Sequence, residues 1–184
     1  AKNAVAVIGD STFMHSGITG LINITYNMGT STVIILDNSI TGMTGHQQNP
    51  TTGLTLKNQP TYAVSLEKIC EGAGVKRIRV VDPNRMDEFE SAVREETAAA
   101  EPSVIIARRP CALLKTVKRH PPFSIDAAVC VGCKQCLGIG CPAISIGADK
   151  KARIDATLCV GCDLCRQLCR PGAIRKSGEE EESK

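Results

Sequence analysis

Apolar positions in the first hundred residues fall into two kinds, unbroken runs and spaced singles. Ala4-Val5-Ala6-Val7-Ile8 and Thr32-Val33-Ile34-Ile35-Leu36-Asp37 are continuous runs, as expected of strands buried on both faces of a parallel sheet. Arg77 to Val81 and Ser103 to Ala107 read as a third and a fourth strand. Between the runs, Gly17 to Asn27 places Ile18, Leu21, Ile22 and Thr25 at helical spacing. Leu66 to Glu71 predicts a short helix ended near Gly72 or Gly74, and Met86 to Ala100 is rich in strong helix formers. Strands alternating with helices predict an α/β fold with a parallel sheet and right-handed crossovers. Residues 38–60 hold Gly, Thr, Asn, Gln and Pro with little periodicity. A loop of that length inside a compact domain is functional or disordered.

The pattern changes after residue 109. Residues 110–123 contain three prolines and several basic residues and read as an extended linker. Beyond it, Ile125-Asp126-Ala127-Ala128-Val129-Cys130 returns 29 residues later as Ile154-Asp155-Ala156-Thr157-Leu158-Cys159, and both copies continue Val-Gly-Cys. The expected organisation is therefore an α/β domain over 1–109, a linker over 110–123, a duplicated small domain over 124–176, and an acidic tail over 177–184. The tail, Glu179 to Glu182, reads as a solvated end.

Ten cysteines are unevenly placed: eight of them lie between Cys130 and Cys169. A secreted disulfide scaffold would not carry an almost cysteine-free α/β half, so metal ligation in a reducing cell is the better reading. Cys130, Cys133 and Cys136 form C-x-x-C-x-x-C, followed by Cys141-Pro142; Cys159, Cys162 and Cys165 form a second such run, followed by Cys169. Three thiolates so spaced can wrap one face of an iron–sulfur cube. In two-cluster ferredoxins the fourth cysteine of each run ligates the other cluster. That rule assigns Cys130, Cys133, Cys136 and Cys169 to one 4Fe–4S cluster, and Cys159, Cys162, Cys165 and Cys141 to the other. Two departures stand out: four residues, Leu137 to Gly140, precede Cys141, and Arg170 separates Cys169 from Pro171. The alternative, a pair of zinc sites, would leave the middle cysteines redundant. The half as a whole resembles the bacterial two-cluster ferredoxin domain, an α+β fold.

Composition narrows the rest. A net charge of +3 over 184 residues argues against a nucleic-acid partner, and 42% hydrophobic residues suffice for a core. No apolar run approaches the ~18 residues that a membrane helix needs, so no membrane partner is expected. The chain opens on Ala-Lys-Asn and enters a strand at once, which favours a piece of a longer protein.

In open parallel sheets, ligands bind beyond the carboxyl ends of the strands. Gly9-Asp10 stands at one such end and Asp37-Asn38 at the next. Carboxylate and amide oxygens are hard ligands suited to Mg²⁺, which commonly joins protein to phosphate. A helix N-terminus near Gly17 would add donors for an anion. Gly9-Asp10-Ser11, Asp37-Asn38 and Thr44-Gly45-His46-Gln47 together resemble the diphosphate-binding domain of thiamine diphosphate enzymes. The resemblance implies thiamine diphosphate and Mg²⁺ as cofactors. It makes Asp10, Asn38 and the Ile40 carbonyl the cation ligands, although the family's usual Gly-Asp-Gly is Gly-Asp-Ser here.

Joined to a two-cluster ferredoxin domain, this arrangement resembles the 2-oxoacid:ferredoxin oxidoreductases. The stretches GDSTFMHSGITGL, LDNSITGMTGHQQNP, RRPCALL and GCPAI look closest to the C-terminal portion of the large (alpha) subunit of the indolepyruvate-type enzymes. The resemblance implies oxidative decarboxylation of an aryl pyruvate such as indolepyruvate, with coenzyme A as acyl acceptor and ferredoxin as electron acceptor. It also implies as partners an N-terminal remainder of the large subunit and a small (beta) subunit. Pyruvate or another 2-oxoacid as substrate, and a pure electron carrier without its own catalysis, stay open. The separate domain that supplies a Glu to the cofactor's pyrimidine does not fit before Ala4, so the chain alone is expected to be inactive and to bind the cofactor weakly. Oxygen-sensitive clusters suit an anaerobic cytoplasm.

Other residues carry weaker expectations. Gly9, Ser11, Thr12, Thr44 and Gly45 are candidate contacts to the cofactor. His15 is a candidate catalytic group, as substrate-carboxylate binder or proton donor. His46 and Gln47 are candidates to face the diphosphate or substrate. Cys70 reads as a core thiol, Cys111 as a packed thiol near the domain junction, and Arg108 with Arg109 as a solvated pair.

Overall fold

The computed structural model describes residues 4–177; the acidic run Glu179 to Glu182 lies outside them. The chain divides into two compact units, Ala1–Leu114 and Lys115–Lys184.

The first unit is an α/β layer. Its strands β1 (Val5–Gly9), β2 (Thr32–Asp37), β3 (Arg77–Val81) and β4 (Ser103–Arg108) form one parallel sheet in the order β1-β2-β4-β3. The central strands β2 and β4 are buried almost throughout, as their β-branched runs demand. Alternate side chains divide between two cores. Val33, Ile35, Val104 and Ile106 meet Phe13, Leu21, Leu66 and Cys70 on one face. Ile34, Ile105 and Ala107 meet Ala92, Phe89 and Val93 on the other. The first group of partners comes from the helical segment after β1 and from α3 (Leu66–Gly72); the second comes from α4 (Met86–Ala98).

Two expectations change. Among the described residues the run at 4–8 is an edge strand, with Val5 47% and Val7 61% exposed, since β1 pairs there with β2 alone. Apolarity marks a strand but does not say whether a neighbour covers it. The helix after β1 also starts earlier than its spacing suggested. Asp10 is already helical in α1 (Asp10–Thr12), a π turn follows over Phe13–Gly17, and α2 (Ile18–Tyr26) continues it. The π turn breaks the 3.6-residue period, which is why periodicity picked out only the later part.

The amino ends of the strands are closed by a buried polar knot. Thr32 Oγ1 donates to the Glu96 carbonyl at 3.1 Å, and Ser103 Oγ directs its single proton to Thr32 Oγ1 at 3.0 Å, with the same carbonyl 3.3 Å away. The Glu96 carboxylate, 2% exposed, takes two bonds from Arg77 at 2.8 and 3.1 Å. Saturated in this way, that end serves structure. The carboxyl ends are left for chemistry.

The second unit holds two antiparallel ribbons. β5 (Phe123–Ile125) pairs with β8 (Ile174–Lys176), and β6 (Ile144–Ile146) pairs with β7 (Ala152–Ile154). A 3-10 turn, Gln135–Ile139, and the short α5, Leu164–Gln167, lie between them in sequence. The duplication is visible in matched hydrogen bonds. Cys130 N donates to the Asp126 carbonyl and Cys159 N to the Asp155 carbonyl. Asp126 N donates to the Ala173 carbonyl and Asp155 N to the Ala143 carbonyl, both at 2.8 Å.

Phe13 is 1% exposed and joins the π turn to the sheet. Phe13→Ala is expected to cost about 3–5 kcal/mol in denaturant unfolding. Tyr26→Ala, at a site 84% exposed, is expected to stay within about 0.5 kcal/mol of the parent.

Candidate cofactor and metal-binding sites

Parallel register brings the strand ends together. Gly9 lies opposite Leu36, and Asp37 opposite Arg108, so Asp10, Asp37 and Asn38 leave the sheet at one edge. Asp10 is 3% exposed. Its Oδ1 accepts from Ser11 N at 2.8 Å, and its Oδ2 accepts from Asn49 Nδ2 at 3.1 Å and Thr51 Oγ1 at 3.4 Å. Burial holds the Asp10 pKa above the usual carboxylate value, and the like charge of Asp37 adds to this, against the lowering effect of the hydrogen bonds.

The two acids are compensated differently. Arg108 Nε donates to Asp37 Oδ2 at 2.6 Å, and its other arm donates to Glu67 Oε1 at 2.6 Å. That hydrogen bond from Arg108 is the main cause that takes the Glu67 pKa down to about 2. Among the described residues, no cation pairs with Asp10. The site thus holds one neutralised acid and one buried carboxylate served by neutral donors alone. Asn38 folds into a tight turn: its Oδ1 accepts from Ile40 N at 3.1 Å, and its carbonyl accepts from Cys111 N at 2.9 Å. Ile40 is buried.

The remaining candidates are scattered. Ser11 is half-buried and Thr12 exposed on the first helical turn. His15 is exposed on the π turn, its Nδ1 2.8 Å from Ser16 Oγ. Thr44, Gly45, His46 and Gln47 form an exposed turn in which Thr44 Oγ1 bonds Gln47 Oε1 at 2.6 Å. Arg108 and Arg109 are not a solvated pair: the first holds Asp37 and Glu67, the second Asp82. The reason is that Asp37 and Glu67, distant in sequence, converge on Arg108. Cys70 is fully buried, and burial pushes its thiol up to about 12. Asn49 and Thr51 were not singled out by sequence. Their only signal was their place in the long polar segment.

In the second unit the thiols gather in two sets. Burial raises the Cys136 pKa, and the like charges of Cys133, Cys169 and Cys130 add to it. Burial likewise pushes Cys165 up to about 12, with Cys162, Cys159 and Cys141 contributing. Each set therefore holds three thiols of one run and the last of the other. The first set lines a shallow recess with Ile125, Ala152, Pro171, Ala173 and Ile174. Among the described residues, no three His, Cys, Asp or Glu side chains converge as they would around a single ion. A soft, apolar-walled, thiol-rich recess suits a cluster better than a lone zinc.

A parallel α/β sheet with its acids at the strand ends defines a class, and comparison with known proteins names it. Residues 1–107 match the model of the thiamine pyrophosphate enzyme C-terminal TPP-binding domain, and the chain belongs to that family. It is 38% identical to indolepyruvate oxidoreductase subunit IorA of Pyrococcus horikoshii, over 98% of this chain and 29% of that protein. It is 39% identical to IorA of Archaeoglobus fulgidus over 79% of this chain and 24% of that protein, and 35% to IorA of Methanothermobacter marburgensis over 97% and 29%. The chain thus spans less than a third of these curated relatives, and it resembles their C-terminal portion.

Two outcomes follow. Asn49→Ala removes a donor from a buried carboxylate and is expected to cost about 1–3 kcal/mol, read by denaturant unfolding. Glu67 has its proton affinity depressed by folding, so it stabilises the fold above its ordinary value of 4.5, and that contribution fades as pH falls toward about 2. Glu67→Gln is expected to flatten the loss of thermal stability between those pH values.

Proposed function

We propose that this chain is the diphosphate-binding and electron-exit part of a thiamine diphosphate-dependent 2-oxoacid oxidoreductase. The observation that carries the reading is the buried, cation-less Asp10 at a strand end, in one chain with two four-thiol sets. A divalent cation is what that carboxylate lacks, and hard oxygen ligands favour Mg²⁺. Asp10, Asn38 and the Ile40 carbonyl hold the cation. Gly9 brings no side chain to the helix start, so the Ser11 and Thr12 hydroxyls there can meet phosphate oxygens. Thr44 and Gly45 contact the cofactor once their exposed turn folds inward. Thiamine diphosphate, when bound, supplies the electron sink that makes decarboxylation of a 2-oxo acid possible. Exposed His15, one helical turn beyond Asp10, binds the substrate carboxylate or carries a proton.

The two thiol sets hold two 4Fe–4S clusters: Cys130, Cys133, Cys136 and Cys169 for one, Cys159, Cys162, Cys165 and Cys141 for the other. Fully sulfur-ligated clusters bind no substrate and pass single electrons. The second unit is then a two-cluster ferredoxin-like domain. The names of the relatives support indolepyruvate as substrate. Coenzyme A as acyl acceptor, ferredoxin as electron acceptor, a small subunit and a cytoplasmic setting complete the reading. The isolated chain is inactive, because it holds only part of what surrounds the cofactor.

The test is a complex assembled without air from this chain and the remaining parts. About eight irons per chain and a low-temperature paramagnetic signal on reduction are expected. Asp10→Ala is expected to abolish indolepyruvate oxidation and Mg²⁺-dependent cofactor binding with the iron content unchanged. Oxidation that survives Asp10→Ala would leave only an electron carrier, and bound zinc in place of iron would remove the electron path altogether.

A further inference from the structure

The second unit is built from two copies of one loop, and the copies are dressed differently. Val131-Gly132-Cys133-Lys134 and Val160-Gly161-Cys162-Asp163 are equivalent, with φ of 68° and 70° at the glycines and 65° and 72° at the fourth residues. Around Gly161 the incoming chain packs hard: a Cβ there would lie 2.7 Å from both the His120 Cβ and the Pro121 carbonyl oxygen. Gly161 is buried and Val160 half-buried. Around the first loop the cover is lighter: Gly132 is half-buried and meets a single backbone carbonyl, that of Lys150. Val131 is 71% exposed, and Cys133 is the one exposed thiol of the eight.

Charge breaks the symmetry in the same direction. Asp163 is held by two bonds from Arg166, at 2.5 and 2.8 Å. Its counterpart Lys134 is exposed and lines the recess of the first thiol set. Exposed Lys150 presents its carbonyl to Gly132, 2.9 Å from where a Cβ would stand. Lys151 Nζ donates to the neutral Ala127 carbonyl, and among the described residues no acid pairs with it. Arg170 is exposed between the lining residues Cys169 and Pro171. The acids nearby are spent, Asp149 on Arg153 and Asp126 on Arg175. From Lys115 to Lys184 the chain has twelve Lys and Arg against four Asp and four Glu.

We infer that the Val131–Lys134 rim is the electron exit, and that it docks a small electron-carrier protein with an acidic surface. The inference rests on the second unit being an electron-transfer module. Tunnelling falls off steeply with distance, so the exit belongs at the loop whose valine and thiol are exposed. An apolar centre within a charged ring is the usual anatomy of a docking patch. Uncompensated lysines steer an acidic partner onto it and set the encounter rate. Each encounter moves one electron: the centre held by the first thiol set is oxidised by one, the carrier is reduced by one, and no bond or proton changes place.

The test uses the complex reconstituted without air and an acidic 4Fe–4S ferredoxin as probe. Lys134→Asp with Lys150→Asp reverses two rim charges at left-handed positions, a backbone that the equivalent Asp163 already adopts with an acid. The pair is expected to weaken binding at low salt at least about tenfold and to flatten its salt dependence, with the paramagnetic signal unchanged. Reversal of Lys115 and Lys118 is expected to change binding less than about twofold. Unchanged affinity and salt slope in the rim variant would overturn the inference. So would an equal loss of affinity for a short DNA duplex, which would mark a surface for any polyanion. A parent complex without the paramagnetic signal would strike at the electron-transfer reading instead, and the binding comparison would still decide the rim.

Discussion

A carboxylate withdrawn from water must be met by positive charge or be driven toward its neutral form, and at Asp10 this protein supplies neutral donors only. The neighbouring acid shows that the fold can do otherwise, since Arg108 reaches Asp37 at 2.6 Å. The difference between the two acids is the organising feature of the first unit. It leaves a cation-shaped deficit at the carboxyl edge of the sheet, while the Glu96 knot saturates the opposite edge. The polar loop over residues 38–65 is arranged around that deficit. Its Asn49 and Thr51 reach back across about forty residues of sequence to one oxygen of Asp10. The loop's position and the geometry of the carboxylate are therefore one quantity, and a ligand that takes hold of one acts on the other.

The second unit meets a different constraint, that of size. A unit this small buries little apolar surface and needs a staple. Its core consists of Phe123, Ile144, Ala152 and Ile174, with Cys136 and Cys165 buried among them and four further cysteines packed at the border. Thiols thus take the place that large side chains hold in a bigger domain. Bound clusters would supply folding energy as well as electron transfer, as structural metals do in other small domains.

Much of this was legible in the chain. The runs at Thr32–Asp37 and Arg77–Val81 match the observed strands residue for residue; the first is a central strand, apolar on both faces, and the second an edge strand whose Arg77 and Arg79 pair with the acids of α4. The cysteine spacing and the 29-residue duplication suggested two groups of four thiols, and the crossover of each fourth cysteine came from the ferredoxin pattern. Spacing along the chain limits which three can share a face. The edge character of β1 and the early start of its helix were not legible. The first depends on what covers a strand, the second on a π turn that periodicity cannot register.

By itself the sequence determined the α/β alternation, the duplicated cysteine runs and the acids at strand ends, because these follow from spacing along the chain. Tertiary structure decided which acid is neutralised, which loop residues hold Asp10, and which of the two repeated loops exposes its thiol. Those outcomes depend on groups far apart in sequence, such as Arg108 with Glu67, Asn49 with Asp10, and His120 with Gly161. No local pattern encodes such meetings, since charge compensation and steric cover are properties of the neighbours that folding supplies.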